Sequence, residues 1–383
     1  MKKLPLAIAA CLALAANSAN AEVRINGFAS IVAGKSLDSE QTIYGYDDDI
    51  SFKNESIFAL QLSADLQESL TATAQIVARG SNDFDAEFEW AYLTYEFTDE
   101  LQLSAGKMRV PFYRYSDFLD VGYAYRWVRP PETVYGLPFS TYEGLSLLYT
   151  SQIGDWDSTV QVIYGSSEAS IDAISNEALD ESELESIAGV NWSVSYDWFS
   201  ARVAYLVAET TINVSSAEEG GAGFNSLVDT LVASGLSAQA DELLIEEDDG
   251  AFFGIGFSID YNDILFDTEY TQFEVKNSIL AEQKQYYVSL GYRLDDVIVH
   301  VTYENDEDKH DASRYNQIAS VPTLNAFFNG ALDSSRDKAE VYTIGTRYDF
   351  HPSAALKVDY SHVKNNLAQT DVDVVSVAVD LVF

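Results

Sequence analysis

The sequence predicts an all-β protein: a 16-stranded antiparallel transmembrane β-barrel with an inward-folded third loop. Three observations carry that expectation. Apolar and polar residues alternate with period two in sixteen segments, the connectors alternate between short and long, and aromatic side chains gather at both ends of the apolar faces. The chain has 383 residues, 47% hydrophobic and 13% aromatic, too rich in core-forming side chains for disorder despite a formal net charge of −39. After residue 16 no run approaches the roughly 20 apolar residues of a spanning helix, so a membrane-embedded form must cross with strands. The acidity also argues against a nucleic-acid partner, which needs a basic face.

The first residues set the compartment. Lys2 and Lys3 precede an apolar run from Leu4 to Ala16, and Ala19-Asn20-Ala21 has the small residues of a cleavage site. Residues 1–21 therefore read as a secretory signal peptide removed near Ala21, leaving residues 22–383 as one barrel domain. A rival reading, a lipoprotein box at Ile8-Ala9-Ala10-Cys11, suffers from too short an apolar stretch before Cys11 and an apolar one after it. Cleavage removes the one cysteine and two lysines, leaving 20 basic residues against 61 acidic ones. Without cysteine there are no disulfide staples, and a closed hydrogen-bonded sheet becomes the candidate source of stability.

The alternating segments fall at 23–34, 54–65, 69–79, 88–97, 101–108, 143–151, 157–165, 186–198, 200–209, 251–261, 263–274, 283–294, 296–304, 338–350, 353–364 and 371–383. In the last, Val375, Val377, Val379, Leu381 and Phe383 share one face and Ser376, Ala378 and Asp380 the other. Phe253 to Tyr261, Tyr286 to Leu294 and Tyr342 to Phe350 repeat the pattern. Short connectors hold turn residues such as Asn262, Asp295 and His351-Pro352; long ones include 35–53, 109–142, 210–250 and 305–337. An even strand number with loop length segregated by rim describes an outer-membrane barrel rather than a soluble sandwich, and sixteen strands leave room for water inside.

The aromatics mark two belts. Phe97, Tyr196, Trp198, Tyr261, Tyr292, Tyr348 and Phe350 stand at short-turn ends of the outward face, and Tyr164, Tyr205, Tyr270, Tyr303 and Tyr360 at long-loop ends. Closure is a physical requirement, because an open edge in hydrocarbon leaves backbone groups unpaired at several kcal/mol each.

The third loop, 109–142, carries Val110, Phe112, Tyr113, Phe118, Tyr123, Tyr125, Trp127, Tyr135 and Phe139, an apolar load that predicts burial. Its charge reverses that of the chain: Lys107, Arg109, Arg114, Arg126 and Arg129 against Asp117, Asp120 and Glu132. These eight residues are the expected pore constriction. Fixed charges there would select ions; alternatively the arginines pin the loop to wall carboxylates through bidentate pairs. On the wall, alternation points Arg24, Arg79, Arg202, Arg293 and Arg347 inward, along with Asp260, Asp267, Glu269 and Asp380. A mixed wall opposite a basic loop implies a transverse field.

The outer loops are strongly acidic. Residues 166–185 hold seven acids and residues 209–249 ten, with no Lys or Arg in either. Divalent cations bridging to lipopolysaccharide or simple solubility of the rim both account for this. Phe224, Leu227, Val228, Leu231 and Val232 suggest a short amphipathic helix.

In layout the chain resembles the Gram-negative porins: sixteen segments, a signal peptide, a C-terminal Phe383 ending an apolar alternating strand, and a long loop between the fifth and sixth segments. The Pro-Glu-Phe-Gly-Gly type of third-loop motif of enterobacterial porins is absent, so their constriction residues are not carried over. The resemblance implies passive diffusion of small hydrophilic solutes, a third loop narrowing the lumen, a homotrimer, contact with membrane lipids and lipopolysaccharide, and recognition of Phe383 by the barrel-assembly machinery. No cofactor, metal or catalysis is expected. An enzymatic barrel needs a nucleophile and base at one site, whereas His300, His310, His351 and His362 lie in no nucleophile motif. A channel specific for phosphate-type anions or oligosaccharides is the alternative, using the loop arginines or Tyr113, Tyr115, Tyr123, Tyr125, Trp127 and Tyr135. An adhesin or anchor would show no conductance.

Overall fold

The computed structural model describes residues 22–39, 41–169, 182–212, 221–309, 338–367 and 369–383. The expected signal peptide, Cys11, His310 and most of the acidic 166–185 segment lie outside the described residues. Strands occur in chain order as β1 (Val23–Ser36), β2 (Ile57–Gln67), β3 (Leu70–Arg79), β4 (Ala86–Glu96), β5 (Leu101–Arg109), β6 (Thr141–Ile153), β7 (Trp156–Ala169), β8 (Ser182–Tyr196), β9 (Phe199–Ile212), β10 (Ile245–Tyr261), β11 (Ile264–Val275), β12 (Glu282–Leu294), β13 (Val297–Lys309), β14 (Lys338–His351), β15 (Ala354–Asn365) and β16 (Thr370–Val382). Each pairs antiparallel with its chain neighbours, and β1 pairs with β16, so the sheet closes on itself. Every backbone edge is thereby satisfied within the ring, as lipid requires.

Every expected segment contains a strand; the second begins at Ile57 rather than 54, while several others reach further toward the outer rim. β10 begins at Ile245 rather than 251, and β13 runs to Lys309 rather than 304. These extensions, Glu246 to Asp249 and Asn305 to Lys309, are polar on both faces. They project past the hydrocarbon layer, where no apolar face remains to reveal a strand. Loop length is also less strictly segregated than expected. The outer connector 366–369 is no longer than the inner turn 97–100.

The inner turns are tight for a local reason. Asp197, Asn262 and Asp295 open two-residue turns at φ 41°, 55° and 52°, in the left-handed region that Asn and Asp tolerate. Outward faces follow the expected alternation: Ile255, Phe257, Leu290, Ile344 and the belt residues Tyr164, Tyr205, Tyr261, Tyr292, Tyr348 and Phe350 are exposed. Among the described residues no helix is long and apolar enough to span a membrane. The expected amphipathic helix is present as α1 (Gly221–Ala233), followed by α2 (Ser237–Asp241). Leu227 and Leu231 of α1, Ala240 of α2 and Leu243 just beyond it pack on Ile279 in the β11–β12 connector.

The seam between β1 and β16 extends to the final residue. Gly27 N–H donates to the Phe383 carbonyl at 2.8 Å and Phe383 N–H to that of Gly27 at 2.9 Å. A Cβ on Gly27 would lie 2.4 Å from the Phe383 ring and 2.9 Å from the Ala59 carbonyl oxygen. Gly27→Val is therefore expected to cost about 1–3 kcal/mol as overpacking and to lower the unfolding temperature in detergent. Adding Phe383→Ala should recover part of the loss. An unchanged transition in the single variant would show that the ring does not constrain this position.

Candidate constriction and channel lining

Residues 110–140 leave β5 and enter the lumen. Pro111 and Phe112 run along β9 and β10, and Arg202 donates to the Pro111 carbonyl at 2.8 Å. The chain reaches β11 at Tyr115, whose hydroxyl donates to Asp267 at 2.8 Å, then crosses to β3–β5, where Asp120 meets Arg79 and Arg109. Gly122 rests on the seam: a Cβ there would approach Asp380 to 2.3 Å and Ser30 to 2.6 Å. The Tyr123 and Tyr125 carbonyls accept from Arg347 at 2.7 and 2.8 Å. Trp127 Nε1 donates to Thr302 at 2.8 Å, and Val128 N–H to Asp359 at 2.7 Å. The return arm bonds Thr133 to Glu304 and the Tyr135 hydroxyl to Glu269 at 2.5 Å.

An apolar core fixes the loop's two arms. Phe112, Tyr113, Val134 and Phe139 join Ile163, Ile187, Leu206 and Phe252 of the wall, with Tyr115, Tyr125, Trp127 and Tyr287 continuing the cluster across the lumen. Trp127 is 1% exposed. Burial raises the Tyr115 and Tyr135 hydroxyls far above their ordinary value, reinforced by the adjacent Asp267 and Glu269 carboxylates. Both stay neutral and act as donors.

The four loop arginines are held, each differently. Arg126 pairs with Asp267 at 2.5 Å and lies over the Trp127 ring at 4.6 Å. Arg129 makes a two-pronged bond to Glu55 at 2.6 and 2.5 Å and stacks 3.7 Å from Tyr44 of the first outer loop. Although burial works against its charge, Glu55 and Tyr44 hold this guanidinium above its ordinary value. Arg109 meets Glu89 and Asp120, sharing both with Arg79. The Arg114 guanidinium pairs with no carboxylate among the described residues and donates to Ser200 and Ser258 at 2.7 and 2.6 Å, while its backbone N–H donates to Glu269 at 2.8 Å. Burial pushes Glu132 up, and Arg129 at 3.5 Å partly offsets this.

Of the loop charges, Asp117 is the most exposed, at 66%, facing Arg202 at 3.7 Å, and Glu132 is half-exposed. Lys107 does not join the group. In register it opposes Ala91 and Glu143, which lie on the outward face with Leu93 and Leu145. It continues the outward parity of Leu103 and Ala105, whereas Gly106, at φ 139°, shares the inward parity of Ser104 and Met108. Wall residues Arg79, Arg202, Arg347, Asp267 and Glu269 point inward as expected and contact the loop or its neighbours. Arg24 and Arg293 also point inward but sit at the inner rim, paired with Asp65 and Asp260 at 2.9 Å. Because nearly all these charges are paired within about 4 Å, the expected transverse field reduces to short-range dipoles.

Outside the expected set, Lys357 is a central clasp. It is 0% exposed, donates to the Gly122 and Trp127 carbonyls at 2.6 and 2.7 Å, and pairs with Asp380 at 2.7 Å. Its signal was available: Lys357, Asp359 and Ser361 alternate with Leu356, Val358 and Tyr360. Glu55 and Glu89 escape that pattern: Glu55, inside the expected second segment, falls in the turn before β2, and Glu89 occupies a register shift in β4. His300 faces the lumen, 3.2 Å from Asp359.

The model of the Gram-negative porin family matches residues 7–368. The chain belongs to the Gram-negative porins. Solved structures share the barrel at low identity. A loop-deletion form of OmpT, an outer membrane protein of Vibrio cholerae, aligns with a TM-score of 0.60 at 12% identity, over 95% of this chain and 100% of that one. The outer membrane channel DcaP of Acinetobacter baumannii aligns at 0.57 and 12%, over 95% and 97%. The anion-selective porin from Comamonas acidovorans aligns at 0.55 and 12%, over 95% and 100%. No curated protein matches in sequence. This porin thus forms an outer-membrane channel for passive diffusion of small hydrophilic solutes, with its third loop seated inside the barrel.

Proposed function

We propose that residues 110–140 constrict this porin's lumen and that solutes pass between the loop and the wall of β2–β9. The observation that carries this reading is the uneven burial of inward side chains. Asp267, Glu269, Tyr287, Ser289, Thr302, Glu304, Lys357 and Asp380 are all buried under the loop, whereas Gln61, Thr73, Thr94, Ser104, Gln161 and Ser193 remain partly accessible. The paired arginines favour the pinning role over a free anion trap. The burial of Tyr113, Tyr115, Tyr125 and Trp127 speaks against a sugar slide along the loop.

The porin is read as a homotrimer, in keeping with OmpT of Vibrio cholerae, which has a trimer form. Its signal peptide is cleaved near Ala21, Phe383 is read during barrel assembly, and lipopolysaccharide surrounds the outer rim. It carries out no chemistry. Planar-bilayer recording tests the assignment: the purified protein should open ohmic channels. Arg126→Ala and Arg129→Ala should then raise conductance and current noise with little change in reversal potential. A large reversal-potential shift at unchanged conductance would place these arginines in the solute path and overturn the pinning role.

A further inference from the structure

Resting on the proposed path between loop and wall, we infer that this porin favours uncharged, polyhydroxylated solutes of the sugar class over ions of similar size. The two halves of the lumen differ in chemistry. From β10 to β16 the inward side chains include Asp267, Glu269, Glu304, Lys357, Asp359 and Asp380, all buried and spent on holding the loop. From β2 to β8 the inward face at mid-height is rich in amides and hydroxyls, with Leu148 and the Tyr92 ring among them. Cross-strand bonds join the amides and hydroxyls into a ladder: Gln75 Nε2 to Gln61 Oε1 at 3.3 Å, Thr94 to Ser104 at 2.8 Å, Gln161 Nε2 to Ser146 at 2.8 Å, and Asn191 Nδ2 to Gln161 Oε1 at 2.7 Å; Gln75, Ser146 and Asn191 are buried and brace Gln61 and Gln161, which with Thr94 and Ser104 stay accessible from the lumen.

An amide offers two donors and an acceptor oxygen, and a hydroxyl one donor and two acceptor sites. The ladder bonds use only part of that capacity. A polyol moving along this wall can exchange water for donors and acceptors in many orientations, since hydroxyls rotate to suit their partner. A bare charge meets no fixed counter-charge on the ladder. The charged groups that border the path come in opposed sets, Arg79 and Arg109 with Glu89 and Asp120, and Arg202 with Asp117. Such sets give a field that dies away within a few ångströms and select neither sign strongly.

The acidic outer loops complicate any measurement at low salt, because they concentrate cations at the mouth. Screening separates the two contributions: the Debye length is about 10 Å at 0.1 M and about 3 Å at 1 M. The experiment combines swelling of proteoliposomes in glucose, gluconate and glucosamine with reversal potentials under potassium chloride gradients. Glucose should enter severalfold faster than either charged analogue. The cation preference seen near 0.1 M should fall to within about twofold of neutral near 1 M, where the mouth is screened. Gln161→Glu, with Gln61→Glu as a second variant should the first fail to fold, should restore a severalfold cation preference at 1 M. Equal entry of the three solutes, strong selectivity of the native channel at 1 M, or no response to either variant would overturn the inference. Absence of any conductance would instead remove the channel reading on which it rests.

Discussion

Deleting residues 112–140 raises single-channel conductance severalfold and moves selectivity toward cations. The loop covers the inward faces of β10–β16 and, through its cluster with Ile163, Ile187 and Leu206, part of β7–β9, so its removal returns a bore that sixteen strands keep wide enough for water. The deleted stretch holds Arg114, Arg126 and Arg129 against Asp117, Asp120 and Glu132, so it takes no net charge with it. What changes is exposure. Asp267, Glu269, Glu304, Asp359 and Asp380 come into contact with permeating ions, with Arg347 and Lys357 as the basic residues among them. Closure of the ring does not depend on the loop, and the deletion protein should still migrate as a folded barrel. Bilayer recordings of that protein check the point. Unchanged conductance would mean that the loop does not limit flow.

Lys357→Ala is the point substitution with the largest expected effect. The ammonium sits in a fully buried site between Asp380 and two loop carbonyls, with the Tyr125 ring 4.6 Å away. Removing one partner of a buried ion pair leaves the other charge uncompensated, a loss of about 3–5 kcal/mol. The Gly122 and Trp127 carbonyls lose their donor at the same time. Thermal unfolding in detergent should show a markedly lower transition, and open-channel current should fluctuate as the loop tip detaches. Lys357→Met, similar in length but without charge, should remain nearly as unstable. Native-like stability in both variants would mean that other contacts hold the tip.

The barrel was legible because lipid imposes a simple code. Each outward residue in the hydrocarbon must be apolar and each closing strand must alternate, so Val375 to Leu381 or Phe253 to Tyr261 could be read without a partner in view. The code fails where its cause is absent. Glu246 to Asp249 and Asn305 to Lys309 form strands in water, where both faces are polar. Lys107 lies beside the basic loop in sequence, yet it keeps the outward parity of Leu103 and Ala105, so that nearness does not bring it into the lumen. The loop's burial was readable from Phe112, Trp127 and Phe139, but its docking partners were not. Arg129 finds Glu55 and Arg126 finds Asp267 across gaps in sequence that no local periodicity reports.

The resting place of Gly122, on Ser30 of the first strand and Asp380 of the last, ties two events in time. The loop is synthesised long before β13–β16, and its tip, held by Arg347, Lys357 and Asp359, gains its full seat only when the chain's two ends lie side by side. Sealing the wall and seating the tip therefore complete one another during biogenesis. A bacterium inserting this protein is spared an interval in which a finished but unobstructed hole leaks through its envelope.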